Sequence, residues 1–185
     1  MTTGIFGGAF DPPHVGHVAL AREAKRRFGL DKLVVLVAAN PEHKEVATPV
    51  DDRFALAQAA FPGDDVRVDE YSRTVEMLRA GSFEDALLLV GADQLAAFHR
   101  WKEPDAVLDM ARVAVATRPG HGLEELSHAI EELGRPDRIE LFPIEPQPIA
   151  SRELRARVAR GESLDGLVPP AVAEEIERRG LYRSV

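Results

Sequence analysis

The chain has 185 residues, 45% of them hydrophobic, which is enough to bury one substantial core but leaves no room for a second full domain. Its formal net charge of −8 argues against a general nucleic-acid or anionic-membrane surface, so any phosphate ligand must be met by local positive groups. Cysteine is absent, which removes disulfide frameworks and thiolate catalysis and fits a cytoplasmic setting. The opening Met-Thr-Thr-Gly-Ile-Phe lacks the basic segment and long apolar core of an export signal, and no run approaches the roughly 20 apolar residues that span a bilayer.

In chain order, a short apolar run at residues 4–6 reads as a strand. Gly7 and Gly8 follow, then Ala-Phe-Asp-Pro-Pro and the element His14-Val-Gly-His17, then a helical pattern at 18–28. A glycine loop lets backbone N–H groups approach an anion with no Cβ in the way, and the next helix points its positive end at the same space. His14 and His17 add side-chain donors that can follow a phosphate through a reaction. Zinc ligation is the weaker alternative, because no further ligand cluster sits at metal spacing.

Beyond this point strands at 33–37, 66–68, 86–90, 112–116 and 138–141 alternate with helices at 52–60, 74–78, 104–110 and 123–133. That alternation predicts an α/β, Rossmann-like doubly wound fold, with a mainly parallel sheet and helices on both faces. Continuous apolar runs such as Leu87-Leu88-Leu89-Val90 suit strands buried on both sides. Ligands then bind beyond the carboxyl ends of the strands, where Gly7, Asn40 and Gly91 would emerge. The proline-rich stretch 142–149 must be extended and leads to helices at 152–159 and 170–179. Residues 1–185 therefore read as one domain whose last part, from about residue 150, is a small helical region.

Other candidates lie after these strands. Lys44, in Asn40-Pro-Glu-His-Lys44, is a point charge for a phosphate, although a lone loop lysine is ordinarily solvated. Asp93, in Gly91-Ala-Asp93, can accept from a ribose or cap the next helix. Trp101 is the only tryptophan, a core residue or a stacking platform. Ser151 is placed to cap the helix that carries Arg155, making a second anion site from cap, dipole and guanidinium.

The string from Gly4 to His17 resembles the signature of the nucleotidylyltransferase superfamily, and the whole chain looks more narrowly like the bacterial nicotinate-nucleotide adenylyltransferases. Gly91-Ala-Asp93 followed by Trp101, Thr117-Arg118-Pro119-Gly120 and the ending Gly180-Leu181-Tyr182 carry that narrower likeness. The resemblance implies adenylyl transfer from ATP to nicotinate mononucleotide, with release of pyrophosphate, as a step of NAD biosynthesis. It implies His14 and His17 as catalytic groups. ATP would be met by these and by Gly7, Gly8, Phe10, Asp93, Arg118, Ser151 and Arg155. The acceptor would be met by Lys44, Thr74 and Trp101, the last stacking on the pyridine ring. Mg²⁺ would accompany ATP. The implied partners are small molecules, not nucleic acid or membrane, with room for a homo-oligomer.

The chain also departs from the family pattern. Glu42 stands where the family carries proline, and residues 71–78 match a shortened acceptor segment. Ala150 and Arg152 replace a serine and a threonine in the Ile-Ser-Ser-Thr-x-Ile-Arg element. A related enzyme acting on nicotinamide mononucleotide or phosphopantetheine therefore stays open, as does a nucleotide-binding regulator that performs no transfer. A Rossmann dehydrogenase does not fit, because the first loop lacks Gly-x-Gly-x-x-Gly spacing.

Overall fold

The computed structural model describes residues 1–41, 46, 48–117 and 122–183, and of Leu123 and Glu125 the backbone alone. Six strands, β1 (Thr3–Gly8), β2 (Lys32–Ala38), β3 (Asp65–Asp69), β4 (Ala86–Gly91), β5 (Ala111–Thr117) and β6 (Ile139–Pro143), form one sheet in the order β3-β2-β1-β4-β5-β6. Every pairing is parallel. This is the doubly wound order, in which winding reverses between β1 and β4.

Among the described residues eight α-helices cover both faces. Alternate residues of each strand serve opposite sides, and both sides are apolar, which is why the strands read as unbroken hydrophobic runs. Phe6, Val35, Val37, Leu87 and Leu89 join α1 (Val15–Phe28), α2 (Val50–Ala60), α7 (Ser151–Ala159) and α8 (Pro170–Arg179) in one core cluster. Ile5, Val34, Leu36, Leu88 and Val90 join α3 (Thr74–Ala80), α4 (Ala92–Ala96), α5 (Pro104–Met110) and α6 (Leu123–Glu132) in the other. The C-terminal helices are therefore fixed to the sheet, through Leu154, Val172 and Ile176. Among the described residues no helix is long and apolar enough to cross a membrane.

Three elements differ from expectation. β1 runs on through Gly7 and Gly8, which read as a loop, because both pair with β2, at Leu36 and Val37. β6 runs on into Pro143, opposite Thr117, because an edge strand has one side where the missing N–H is not needed. α4 is a single short turn, too brief for periodicity to reveal.

The segment after β1 has no ladder partner, and its backbone is held by side chains from distant elements. Phe10 takes φ 50°, a left-handed conformation uncommon for a non-glycine residue. Arg53 of α2 is 2% exposed and sends its guanidinium to four carbonyls: Ala9 (3.0 Å), Ala38 (2.7 Å), Ala39 (3.1 Å) and Thr48 (3.1 Å). It ties the end of β1 to the end of β2 and to the start of its own helix. Burial lowers its pKa, against the opposing fields of Asp11 and Tyr182. Replacing Arg53 by methionine keeps the bulk and removes every donor, leaving buried carbonyls unpaired. We expect a loss of about 3 kcal/mol in unfolding free energy by urea titration, since each orphaned buried group costs on the order of 1–3 kcal/mol and these are not additive. A loss below about 1 kcal/mol would contradict the clamp.

Candidate active site

The ladder between β1 and β4 stops early. β1 stays paired with β2 to the register Gly8↔Val37, and β4 with β5 to Gly91↔Ala116, but β1 and β4 pair only as far as Ile5↔Leu88. The last three residues of each strand thus diverge, opening a notch at the winding reversal. Gly7 and Gly91 stand on its two sides, and a Cβ added to either would meet nothing within 4 Å.

The β1 side carries the histidines. His14 is the N-cap of α1, and its Nδ1 accepts from the Gly16 amide (3.2 Å), while His17 Nδ1 accepts from the His14 amide (3.1 Å). The imidazoles form a capping box in place of the usual Ser and Glu. Their ring centroids lie 3.8 Å apart. A nitrogen that accepts a hydrogen bond carries no proton, so each neutral ring holds its proton on Nε2, as a donor. The motif glycine follows from the same packing: a Cβ on Gly16 would lie 3.0 Å from His14 Cε1 and Nδ1 and 3.3 Å from Gln147 Cβ.

The α1 end offers a field rather than N–H donors. Its first amides are already taken, Val15 by the Leu167 carbonyl (3.1 Å), Gly16 by His14 Nδ1 and His17 by the His14 carbonyl (2.9 Å). Donors for an anion must come from imidazole and loop. Phe10 is buried, so its side chain does not face a ligand. It lies edge-on to His17, with centroids 5.3 Å apart, and supports that ring from behind.

α7 reaches the same loop, though not as expected. Ala150, not Ser151, is the N-cap, and it makes no side-chain cap bond. Ser151 is the first helical residue, and its hydroxyl donates to the Pro12 carbonyl (2.9 Å). Arg155 Nη1 donates to the Asp11 carbonyl (2.7 Å) and lies 3.6 Å from Asp11 Oδ2. The first-turn amides of Ser151 and Arg152 have no intrahelical acceptor. One Arg155 nitrogen of three is thus committed to the loop.

The β4 side carries the remaining described candidates. Asp93 is exposed in the first turn of α4, but the N-cap is Gly91, whose amide is met by Gln94 Oε1 (3.1 Å). Trp101 is partly buried and stacks on Phe98, centroids 4.6 Å apart. Thr74 opens α3, which neighbours the Trp101 segment through the pairs Lys102–Glu76 and Arg79–Glu103, both 2.6 Å. Lys44 and Arg118, with Glu42, lie outside the described residues. The structure therefore brings His14, His17, Ser151 and Arg155 together on one face of the sheet, and Asp93, Trp101 and Thr74 on the other.

Sequence reasoning missed Arg53, Asp11 and Tyr182. Arg53 left a signal, since it falls three and four residues before Leu56 and Ala57 on the helix face that is buried. Asp11 is 3% exposed and accepts 2.7 Å from the Tyr182 hydroxyl, a contact across 171 positions that no local pattern announces.

The chain matches the model of the cytidylyltransferase-like family over residues 5–157. It is 40% identical to a Bordetella avium protein named "probable nicotinate-nucleotide adenylyltransferase", covering 97% of each chain. A Rubrobacter xylanophilus protein of the same name is 35% identical, over 100% of this chain and 93% of its own. Among solved structures, the nicotinic acid mononucleotide adenylyltransferase of Plasmodium falciparum, complexed with NaAD, superposes with a TM-score of 0.72 at 13% identity. It covers 98% of this chain and 97% of that one, a likeness of fold.

The packing around Gly16 can be tested without a ligand. In Gly16→Ala the new methyl competes with the His14 ring. The helix-propensity gain of up to about 1 kcal/mol offsets a lost cap of about 1 kcal/mol, so stability stays within about 1 kcal/mol. The long-range ¹H–¹⁵N signals of His14 should nevertheless move. Unchanged signals would mean that the ring is not held against the helix start.

Proposed function

The chain belongs to the nicotinate-nucleotide adenylyltransferases, within the cytidylyltransferase-like family, and on that premise we propose that it transfers the adenylyl group of ATP to nicotinate mononucleotide, giving deamido-NAD and pyrophosphate for NAD biosynthesis. The observation that carries this reading is the histidine pair at the notch. Two imidazoles, fixed as Nε2–H donors by backbone amides, stand where the two halves of the sheet part.

The chemistry asks for position more than for reactive side chains. An oxygen of the acceptor phosphate attacks the α-phosphorus of ATP, the bond from that phosphorus to the bridging oxygen of the β-phosphate breaks, and pyrophosphate leaves. The acceptor phosphate is already ionised, so no general base is needed. His14 and His17 donate to the oxygens that gain charge, and the open nitrogens of Arg155 add a fixed cation. Ser151 and Arg152 contribute through their first-turn amides; the Ser151 hydroxyl proton is directed at Pro12. Gly7 leaves room for the nucleotide, Gly8, whose own Cβ would meet the Phe10 ring, offers it only backbone, and Asp93 meets the ribose. Mg²⁺ enters with ATP as part of the substrate and neutralises phosphate charge. Trp101 and Thr74 receive the pyridine nucleotide from the other face. From the sequence, Lys44 is assigned to the acceptor phosphate and Arg118 to the adenine side.

The shared cluster of Leu154, Val172 and Ile176 with α1 and α2 supports reading residues 1–185 as one functional domain. A cytoplasmic site of action with small-molecule partners completes the proposal.

Pyrophosphate release with ATP, Mg²⁺ and a panel of nicotinate mononucleotide, nicotinamide mononucleotide and phosphopantetheine tests it. The nicotinate form should be preferred; release with none would favour a regulator that binds nucleotide without transfer. In His17→Ala, turnover should fall about 10²–10³-fold, the size of one lost charge-stabilising donor, while KM for the acceptor changes only a few-fold. Near-normal turnover in that variant would sink the assignment.

A further inference from the structure

The segment that follows α8 turns back towards the histidine loop. Gly180 ends the helix at φ 64°, as glycine commonly does, and two residues later Tyr182 takes φ 63°, which a tyrosine rarely adopts. The turn brings the phenol against the core cluster that holds Phe10, and its hydroxyl donates to Asp11 Oδ1 at 2.7 Å. The Asp11 side chain is 4% exposed, and its second oxygen lies 3.6 Å from Arg155 Nη1. That same Nη1 holds the Asp11 carbonyl. One carboxylate is thereby gripped between α7 and the end of α8. Burial, then the bond to Asp11, push the phenol well above its ordinary range, so it keeps its proton and remains a donor at every working pH.

We propose that Tyr182 is a positioning residue for adenylyl transfer: by holding the Asp11 carboxylate, it fixes the loop that sets His14 and keeps Arg155 aimed at the reacting phosphates. The claim rests on the function proposed above. The loop needs such a hold, because Phe10 sits in a conformation that persists only where the surroundings over-determine it. Without the hydroxyl, the Asp11 carboxylate is left to the guanidinium groups of Arg155, 3.6 Å away, and of Arg53, whose four carbonyl bonds hold it in place, so Arg155 Nη1 is drawn from the carbonyl towards it. A displacement of about 1 Å in a reacting group can cost on the order of 10²-fold in rate, so even partial relaxation registers in turnover.

Tyr182→Phe keeps the ring and its packing and deletes only the hydroxyl. Asp52→Asn is the structural control, because the Arg179–Asp52 pair (2.7 Å) also ties α8 to α2 but touches no loop residue. Both variants and the unaltered chain are compared by steady-state kinetics with ATP and nicotinate mononucleotide, by thermal melting, and by long-range ¹H–¹⁵N spectra of the imidazoles. Tyr182→Phe should lower kcat about tenfold with KM for the acceptor within about twofold, and should shift the His14 and His17 signals, at a temperature where the protein is fully folded. Asp52→Asn should leave kcat and the signals unchanged. Unchanged signals or a kcat within twofold in Tyr182→Phe would overturn the proposal, as would an equal loss of kcat in Asp52→Asn. If the unaltered chain transfers no adenylyl group, the proposed function fails, and the imidazole spectra still decide whether Tyr182 holds the loop.

Discussion

Residues 9 to 13 carry backbone that no strand or helix pairs, and everything at the candidate site depends on where that backbone lies. Its carbonyls are taken by side chains instead: Ala9 by Arg53, Asp11 by Arg155 and Pro12 by Ser151. A buried polar group without a partner costs on the order of 1–3 kcal/mol, so three such groups in one loop would not stay in place unaided. The clamps come from α2 and α7, both on one face of the sheet. They convert an irregular loop into a rigid mount for the start of α1, and hence for His14 and His17. Arg53 is central because it also holds Ala38 and Ala39 at the end of β2, which locks the loop to the strand beside it.

The second consequence is geometric. β1 and β4 share a ladder only to Ile5↔Leu88, so the sheet is split at the place where its winding reverses. Each side of the split belongs to a different helical layer with its own core. His14, His17, Ser151 and Arg155, proposed to meet the phosphates, come from the layer of α1, α2, α7 and α8, whereas Trp101, Thr74 and Asp93 come from the layer of α3 to α5. A two-substrate reaction suits that division: on the proposed assignment the first layer meets the phosphates, while the second meets the pyridine nucleotide and, through Asp93, the ribose of ATP. The acidic surface of the chain makes this local arrangement necessary, since the overall field repels phosphate.

Much of this was legible in the sequence where the causes are local. Both-sided burial wrote itself as apolar runs such as Leu33–Val37, and the strands fall within a residue or two of the expected positions. The histidine pair was legible as donors at the start of a helix behind a glycine-rich segment, whereas their use of Nδ1 as a capping box emerged only in the fold. Caps were misread where two residues competed for one role. Ser151 and Asp93 are cap-forming types, yet Ala150 and Gly91 occupy the cap positions, and Ser151 spends its hydroxyl on Pro12. Phe10 looked like a ligand contact and is a support for His17, since only the fold shows which way a loop aromatic turns. What stayed hidden is long-range. Arg53 meets Ala9 across 44 positions, Arg155 meets Asp11 across 144 and Tyr182 meets Asp11 across 171. No periodicity or spacing rule reaches that far.

In the proposed mechanism the chain contributes position and charge but no nucleophile, so that acceptor phosphate and α-phosphorus react in a single in-line step. The stereochemical course at that phosphorus tests it most directly. With one diastereomer of adenosine 5′-O-(1-thiotriphosphate) and nicotinate mononucleotide, a single displacement predicts a thio-dinucleotide with inverted configuration. Retention would require two displacements through an adenylylated side chain, and would contradict the account.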